Sequence, residues 1–189
     1  MVRLRADPPS YLHYHARVPA ASRVIDSPVG PLLLVARGGA LAELLMTPFA
    51  VPEDDAAQAG DAAVLDAAER QLGDYFDGRL TAFDVPLSLE GTDFQRLVWD
   101  ELVKIPFGER ISYGELARRV GRPGSARAVG LANGRNPVSI IVPCHRVVGS
   151  DGTLTGYGGG LDRKAWLLDH EARQGPGQLA LGLEASVPG

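Results

Sequence analysis

The stretch SYGELARRVGRPGSARAVGLANGRNP, residues 112–137, decides the fold of the second half of the chain. Ser112 can cap a short helix that runs to Val120, because a serine hydroxyl accepts a hydrogen bond from a free N–H group in the first helical turn. Ser125 can cap a second helix that ends near Gly134, and the glycines between the helices provide the turn. The closing proline prevents further extension. Two short helices around such a turn match the helix-turn-helix pattern, which is also a common way to pack a small helical domain.

The second of these helices has few large side chains. Apart from Arg127 near its start, it is dominated by small residues: Ala126, Ala128, Gly130, Ala132 and Gly134. Glycine inside a helix costs about 1 kcal/mol relative to alanine, so a requirement for a slim helix must outweigh that cost. One interpretation is a close helix–helix contact. The other is a thin helix in the minor groove of DNA with the arginine as a wedge, because a helix without polar side chains reads few base edges.

The charge distribution bears on this choice. The 189-residue chain has a formal net charge of −4, which by itself argues against a nucleic-acid partner. Residues 104–146 nevertheless hold eight basic and two acidic side chains, whereas residues 1–90 hold seven basic and thirteen acidic ones. A phosphate backbone responds to the local potential within a Debye length, so the basic region is a candidate DNA footprint. A solvated charged surface is the alternative.

Composition excludes several classes of protein. The chain is 45% hydrophobic and 22% charged, which is typical of a globular protein. No apolar run approaches the roughly 18 residues of a membrane span, and the first twenty residues lack the apolar core of a signal peptide. One cysteine cannot form an internal disulfide or a cysteine-based zinc site, which favours a reducing cytoplasm. The four histidines show no metal-ligand spacing, so we expect no metal.

The first half of the chain is expected to form an antiparallel sheet with one helix. Residues 23–47 alternate apolar runs with Ser-Pro, Gly-Pro and Gly-Gly turns, which is typical of a meander. Apolar residues recur at helical spacing from Asp61 to Phe76, and Gly78 is placed to end that helix. Residues 81–91 favour a short strand followed by a linker, so we place a domain boundary near residue 90.

These patterns divide the chain into four parts. Residues 1–22 lack periodicity and are expected to be a flexible leader. Residues 23–90 are predicted to form the N-terminal α/β domain and residues 91–173 the C-terminal domain, followed by a flexible tail at 174–189. The C-terminal domain opens with a capping box, Thr92 followed by Gln95. The helix behind it is predicted to bury one face, made of Phe94, Leu97, Val98, Leu102 and Ile105.

The only cysteine, Cys144, lies in IVPCHRVVG, residues 141–149, directly before His145. A free thiol is only a few per cent thiolate at neutral pH, so a nucleophilic cysteine needs a neighbouring base. Adjacent side chains point to opposite sides of an extended chain, so we expect the imidazole to ionise the thiol through a bridging water. Arg146 is expected to be structural.

Several motifs together resemble the O6-alkylguanine-DNA alkyltransferases, also called methylated-DNA–protein-cysteine methyltransferases. They are Pro-Cys-His-Arg-Val at 143–147, RAVG at 127–130, Asn-Pro at 136–137, GYGGG at 156–160 and LLDHE at 167–171. The likeness is close from residue 91 to 171. It is weaker from 23 to 89, where IDSPVGPLLL is similar to the family's N-terminal meander, and it is absent from the leader and the tail.

The resemblance implies a two-part fold and one reaction. The fold is an α/β N-terminal part, an RNase H-like antiparallel sheet plus a helix, followed by a mainly α-helical part with a helix-turn-helix DNA-binding motif. The implied reaction moves an alkyl group, chiefly methyl, from O6 of guanine, and also from O4 of thymine, in duplex DNA onto the protein's own cysteine, once and irreversibly. Some relatives hold a structural zinc through cysteines and histidines of the N-terminal part, where this chain has no cysteine, so we expect none.

The resemblance also implies the partners. Double-stranded DNA that contains O6-alkylguanine is the partner, no membrane is involved, and the reaction needs no dissociable cofactor. We expect a cytoplasmic monomer, with cooperative assembly on DNA left open.

Catalytic roles follow from the resemblance at five positions. Cys144 is the nucleophile, His145 the base, and Glu171 accepts a hydrogen bond from the other imidazole nitrogen, the logic of a hydrolase triad. Tyr113 donates through its hydroxyl to the departing guanine oxygen or to the ring nitrogen N3, with packing at a helix start as the alternative. Asn136 joins the DNA helix to the cysteine segment by hydrogen bonds, with a simple Asn-Pro turn as the alternative.

Binding roles follow in the same way. The target base must leave the stacked duplex, and Arg127 is the finger that fills its place, with a phosphate contact as the alternative. The loop that contains Tyr157, Gly158 and Gly159 is the wall of the base pocket, because glycine lets backbone approach a planar ring closely. Further DNA contacts are expected at Gly114, Arg122, Ala126 and Ser150.

Two other classes of function remain alternatives. A non-catalytic sensor of DNA alkylation damage would share the helix-turn-helix part, but relatives of that kind lack the cysteine that this chain has at position 144. A cysteine hydrolase would use the same three catalytic residues, and it would also need an oxyanion hole, which we do not identify in the sequence.

Overall fold

The N-terminal meander is confirmed in the computed structural model, which describes residues 21–46, 49 and 59–174. Strands β1 (Ala21–Ile25), β2 (Leu32–Arg37) and β3 (Ala40–Met46) form an antiparallel sheet in the order β1-β2-β3. Gly38 and Gly39 between β2 and β3 have φ values of +61° and +77°. Glycine reaches this left-handed region without steric cost, and two such residues make the tight hairpin turn whose twist matches the flanking strands.

Helix α1 (Ala59–Phe76) covers this sheet. Its buried side chains recur at helical spacing at Val64, Leu65, Ala68 and Leu72, in agreement with the sequence pattern. The helix starts two residues before the predicted position, and Gly78 follows its end with a φ of +75°. The buried carboxylate of Asp61 accepts a hydrogen bond from Gly39 N (2.7 Å), which ties the β2–β3 hairpin to the first turn of α1.

The short strand predicted within residues 81–91 is wrong. These residues, all of them described, make one isolated bridge, in which Leu41 N donates to Pro86 O and Ser88 N donates to Leu41 O. Pro86 has no N–H group, so the segment cannot continue as a regular ladder strand. It runs as extended chain along the sheet and connects the N-terminal half to the C-terminal half.

The second half is helical, as expected. Helix α2 (Asp93–Val103) has the predicted capping box, with Thr92 Oγ1 accepting from Gln95 N and Gln95 Oε1 accepting from Thr92 N. Its buried face was predicted only in part: Leu97 is 42% exposed, whereas Trp99 is buried and donates from Nε1 to the carbonyl of Ala132. The indole points inward because that carbonyl satisfies its N–H group.

The helix-turn-helix pair is also confirmed. It consists of α3 (Tyr113–Arg119), capped by the Ser112 hydroxyl that accepts from Glu115 N, and α4 (Ala126–Gly134). Ser125 occupies the capping position of α4, but its side chain makes no capping bond to any residue that the structure describes. Strand β4 (Ile111–Ser112) pairs in parallel with β5 (Val147–Val148), and α5 (Leu161–Gln174) closes the fold.

One hydrophobic core extends through both halves. At their junction, Leu44 N of β3 donates to Pro137 O, and Ser139 N donates back to Leu44 O, so the segment after α4 lies along the sheet. The predicted termini need a correction: Ala21 and Ser22 of the leader belong to β1, and Gln174 of the tail belongs to α5. Residues 1–20 and 175–189 lie outside the described residues. No helix within the described ranges is long and apolar enough to cross a membrane.

Candidate active site

Cys144 begins a 3₁₀ turn, Cys144–Arg146, rather than lying in extended chain as expected. The bonds Cys144 N to Val142 O (2.8 Å) and Arg146 N to Pro143 O (3.0 Å) curl the backbone here. Just upstream, buried Ile140 has a φ of +70°, an unfavourable conformation for a β-branched residue. Such strain persists only where the surroundings fix it, so the cysteine turn is held by the packing around it.

The carboxylate of Glu171, on α5, is the centre of the buried polar cluster. Its Oε1 lies 2.8 Å from Nε2 of His145 and accepts from the Tyr75 hydroxyl at 2.9 Å. Arg146 donates to both carboxylate oxygens, and Gly108 N donates to Oε2 at 3.0 Å. Burial raises the pKa of Glu171, but the bonds from His145 and Arg146 outweigh it and lower that pKa to about 2. The predicted pair of His145 and Glu171 is therefore brought together, with the carboxylate ionised.

This contact fixes the protonation of His145. An ionised carboxylate only accepts hydrogen bonds, so Nε2 carries the proton and Nδ1 has a free lone pair. Burial lowers the pKa of His145, so the ring is neutral near pH 7. Nδ1 is buried and has no hydrogen-bond partner among the described residues. A neutral imidazole with an unused acceptor nitrogen is suited to take a proton.

Burial of Cys144 favours the neutral form of its thiol. Cys144 is 5% exposed, and burial raises the pKa of its thiol, while the Asn136 side chain and the positive charge of Lys164 lower it. Burial therefore opposes the expected ionisation of the sulfur, because a thiolate is less stable away from water, and the ionised sulfur stays a prediction.

Asn136 lies where the sequence suggested, between α4 and the cysteine turn. Its Nδ2 donates to Val142 O at 2.7 Å, and its Oδ1 accepts from Val138 N at 3.0 Å. One side chain thus clamps the strained segment from both ends, which a simple Asn-Pro turn would not do.

Tyr113 contacts the chain just before the glycine-rich loop. The Tyr113 hydroxyl donates to Thr155 O at 3.1 Å. The Tyr157 hydroxyl is buried and finds no partner in the part of the chain that the structure describes. Gly159 packs on the sheet, since a Cβ there would overlap Met46 Sδ and touch the Tyr157 ring, so a larger residue would require these side chains to shift. Gly158 beside it is exposed.

The predicted DNA-contacting residues divide into exposed and half-buried ones. Arg122, Arg127 and Ser150 are exposed, whereas Ala126 and Gly114 are half-buried. Arg122, Arg127 and Arg135 make no ion pair within residues 21–46, 49 and 59–174. In the rest of the basic region, Lys104 pairs with Glu101, Arg146 pairs with Glu171, and Arg118 and Arg119 share the single charge of Glu115. Arg110 also makes no ion pair within the described ranges. Three of the four arginines of this region that lack an ion pair among the described residues therefore lie within or beside α4.

Three residues of this site were missed from the sequence: Tyr75, Asn133 and Lys164. Lys164 is buried, donates from Nζ to Val147 O and Thr155 O, and lies 5.8 Å from the Tyr113 ring centroid. Asn133 Nδ2 donates to Cys144 O at 3.3 Å. A lysine and a tyrosine in amphipathic helices give no local signal of such roles, because their partners are distant in sequence.

Comparison with known proteins places both halves in one family. The family model for the DNA-binding domain of 6-O-methylguanine DNA methyltransferase matches residues 93–173, and the model for its ribonuclease-like domain matches residues 21–89.

Individual relatives agree. The methylated-DNA–protein-cysteine methyltransferase of Mycobacterium tuberculosis is 52% identical over 159 residues, covering 84% of this chain and 96% of the relative. The protein of the same name from Methanosarcina barkeri is 48% identical and covers 78% of this chain and 94% of its own length. The crystal structure of M. tuberculosis OGT in complex with DNA superimposes with a TM-score of 0.73 at 52% identity, over 85% of this chain and 98% of that one.

Proposed function

The chain belongs to the 6-O-methylguanine DNA methyltransferase family, and we propose that it repairs duplex DNA by moving an alkyl group from O6 of guanine onto its own Cys144. The observation that carries the assignment to this residue is the buried pair of His145 and Glu171, whose imidazole keeps one acceptor nitrogen unused and lies next to buried Cys144 in the same 3₁₀ turn. The M. tuberculosis relative in complex with DNA supports DNA as the partner.

The reaction balances with the groups present. The thiol proton passes to Nδ1 of His145 through a water, and the sulfur forms a bond to the alkyl carbon as the bond from that carbon to O6 breaks. The electron pair stays on the purine, which accepts a hydrogen bond from Tyr113 at O6 or N3 and ends with one proton in place of the alkyl group. Because burial raises the pKa of the Cys144 thiol, we place its ionisation in the complex with the base.

The product explains why the protein acts once. A hydrolase forms a thioester, whose carbonyl carbon water attacks. Here the product is a thioether at a saturated carbon, which offers water no comparable centre. Cys144 is therefore consumed, and no dissociable cofactor is required. The same attack applies to O4 of alkylated thymine.

The exposed face around α4 is proposed to hold the DNA. A base inside a stacked duplex cannot reach a buried sulfur, so the target base is flipped out and Arg127 takes its place. The backbone is contacted at Gly114, Arg122, Ala126 and Ser150. Tyr157, Gly158 and Gly159 line the pocket for the extruded base.

The test is to incubate the protein with one equivalent of duplex DNA that contains O6-methylguanine and to map the peptides by mass spectrometry. We expect the Cys144 peptide to gain the mass of one CH₂ group. Cys144→Ala should abolish the transfer and keep the affinity for DNA. Binding without a mass change would indicate a non-catalytic sensor of alkylation, and turnover without modification would indicate a hydrolase.

A further inference from the structure

Tyr75 brings the N-terminal half of the chain into the catalytic cluster. It lies in the last turn of α1, is fully buried, and donates its hydroxyl to Oε1 of Glu171 at 2.9 Å. The same oxygen faces Nε2 of His145 at 2.8 Å. One carboxylate oxygen is therefore shared by a tyrosine of the first half and by the His145 imidazole and the Arg146 guanidinium of the second.

The position of the Tyr75 ring is set by the residues around it. Its centroid lies 5.4 Å from that of Phe83, 5.9 Å from that of Phe107 and 5.2 Å from that of His170. His170 Nε2 also lies 2.8 Å from the carbonyl oxygen of Tyr75. The hydroxyl is thus held in place by packing on several sides, and its bond to Glu171 does not depend on a mobile side chain.

The bond is not needed to compensate the buried charge. Arg146 already donates to both oxygens of Glu171, and Gly108 N donates to Oε2. The Tyr75 hydroxyl adds a donor only at Oε1, the oxygen that polarises the imidazole. Its effect is therefore expected at His145 more than in the stability of the ion pair.

We propose that Tyr75 is a positioning residue for the alkyl transfer, which orients Oε1 of Glu171 and limits how strongly that oxygen attracts the imidazole proton of His145. This inference rests on the function proposed above. Without the hydroxyl, Oε1 interacts more strongly with Nε2–H, and His145 holds an added proton at Nδ1 more tightly. The charged and titratable groups that face the cluster are His170 and Lys164 of α5, Cys144 and Arg146 of the turn, and Tyr157 of the glycine-rich loop.

The test uses Tyr75→Phe, which keeps the ring and removes the donor. Single-turnover rates of methyl transfer from O6-methylguanine duplex are measured between pH 5 and pH 9 for the full chain. The acid limb of the pH–rate profile reports the protonation of His145, and we expect it to move to higher pH by about half a unit or more. The dissociation constant for DNA should not change. Titration of the His145 ring signals by NMR without DNA should shift in the same direction.

Phe83→Leu is the matched control, because it loosens the packing of the Tyr75 ring and leaves the hydroxyl in place. We expect it to lower the melting temperature and to leave the acid limb where it is. A fluorinated tyrosine at position 75 makes the hydroxyl a stronger donor, so it should move the limb to lower pH, and it keeps the test valid if Tyr75→Phe does not fold.

Suppose that the wild-type protein transfers methyl groups, but that Tyr75→Phe has the same acid limb and the same His145 NMR titration as the wild type. That result would overturn this inference. Failure of the wild-type protein itself to transfer a methyl group would instead overturn the proposed function. The NMR titration needs no substrate, so the two failures are distinguishable.

Discussion

At the scale of single residues, Glu171 organises the site because four different groups bond to its two oxygens. The sequence indicated one of these partners, His145, through the resemblance of the PCHRV and LLDHE motifs. Arg146 was expected to be structural, and its ion pair with Glu171 agrees with that. Tyr75 and the backbone of Gly108 could not be predicted, because no local pattern relates them to a carboxylate 96 and 63 residues away.

Replacing Glu171 should change both the stability and its dependence on pH. The pKa of this carboxyl is lowered from 4.5 to about 2 in the folded protein. A carboxyl with a depressed pKa stabilises the fold above pH 4.5, and that stabilisation is lost as the pH falls toward about 2. Glu171→Gln leaves Arg146 buried without its charge partner, so we expect a loss of about 3–5 kcal/mol at pH 7.

The measurement is urea unfolding of both proteins from pH 2 to pH 7. Between pH 4.5 and 2 the stability of Glu171→Gln should depend less on pH than that of the wild-type protein. The exposed Glu109→Gln serves as the control and should follow the wild-type curve. If the free energies of unfolding of the wild type and of Glu171→Gln changed with pH in parallel, the lowered pKa of Glu171 would be contradicted.

At the scale of elements, the helix-turn-helix pair was predictable because the residues that start and end its helices act locally. Serine caps, glycine turns and a closing proline act within a few residues of where they stand. The small residues of α4 have two uses: Ala132 lies under Trp99, as in the helix-contact interpretation, and exposed Arg127 and Ala128 face solvent, as the DNA interpretation requires. The buried face of α2 was predicted less well. Trp99 is buried there because its indole N–H donates to the carbonyl of Ala132, which is distant in sequence.

The two capping residues of the helical half should differ in their energetic effect. Thr92 makes a reciprocal capping box with Gln95, so Thr92→Ala should reduce the free energy of unfolding by about 1 kcal/mol. Ser125 occupies the same position at α4, but its side chain makes no capping bond to the described residues. Ser125→Ala should therefore reduce the free energy of unfolding by only a few tenths of the loss expected for Thr92→Ala. Chemical denaturation of the two variants checks this, and equal losses would refute the distinction.

Arg127 should matter for duplex DNA and little for the chemistry itself. If it replaces the extruded base, Arg127→Ala will slow repair of duplex DNA on the order of tenfold or more, because unstacking costs a few kcal/mol. Its reaction with free O6-benzylguanine should be nearly unchanged. Arg119→Ala, which removes a surface arginine paired with Glu115, is the control and should affect neither rate strongly. Equal slowing with both substrates would remove the finger role.

At the scale of the whole molecule, the two halves are more closely joined than the boundary near residue 90 suggested. The bonds between Leu44 and residues 137–139 hold the cysteine segment against the N-terminal sheet, Met46 packs on Gly159, and Tyr75 bonds to Glu171. Sequence patterns locate elements, because propensities act over short distances. They do not locate contacts between residues far apart in the chain, and in this protein such contacts hold the cysteine segment, the glycine-rich loop and Glu171.

The central claim is that one sulfur accepts one alkyl group and keeps it. The most direct measurement is the stoichiometry of transfer from an excess of duplex DNA carrying O6-methylguanine with a radiolabelled methyl group. The account predicts that transfer stops at one methyl group per chain, that all of the label is found on the Cys144 peptide, and that none is released with time. Continued loss of methyl groups from the DNA beyond one per chain, or label on any other residue, would contradict it.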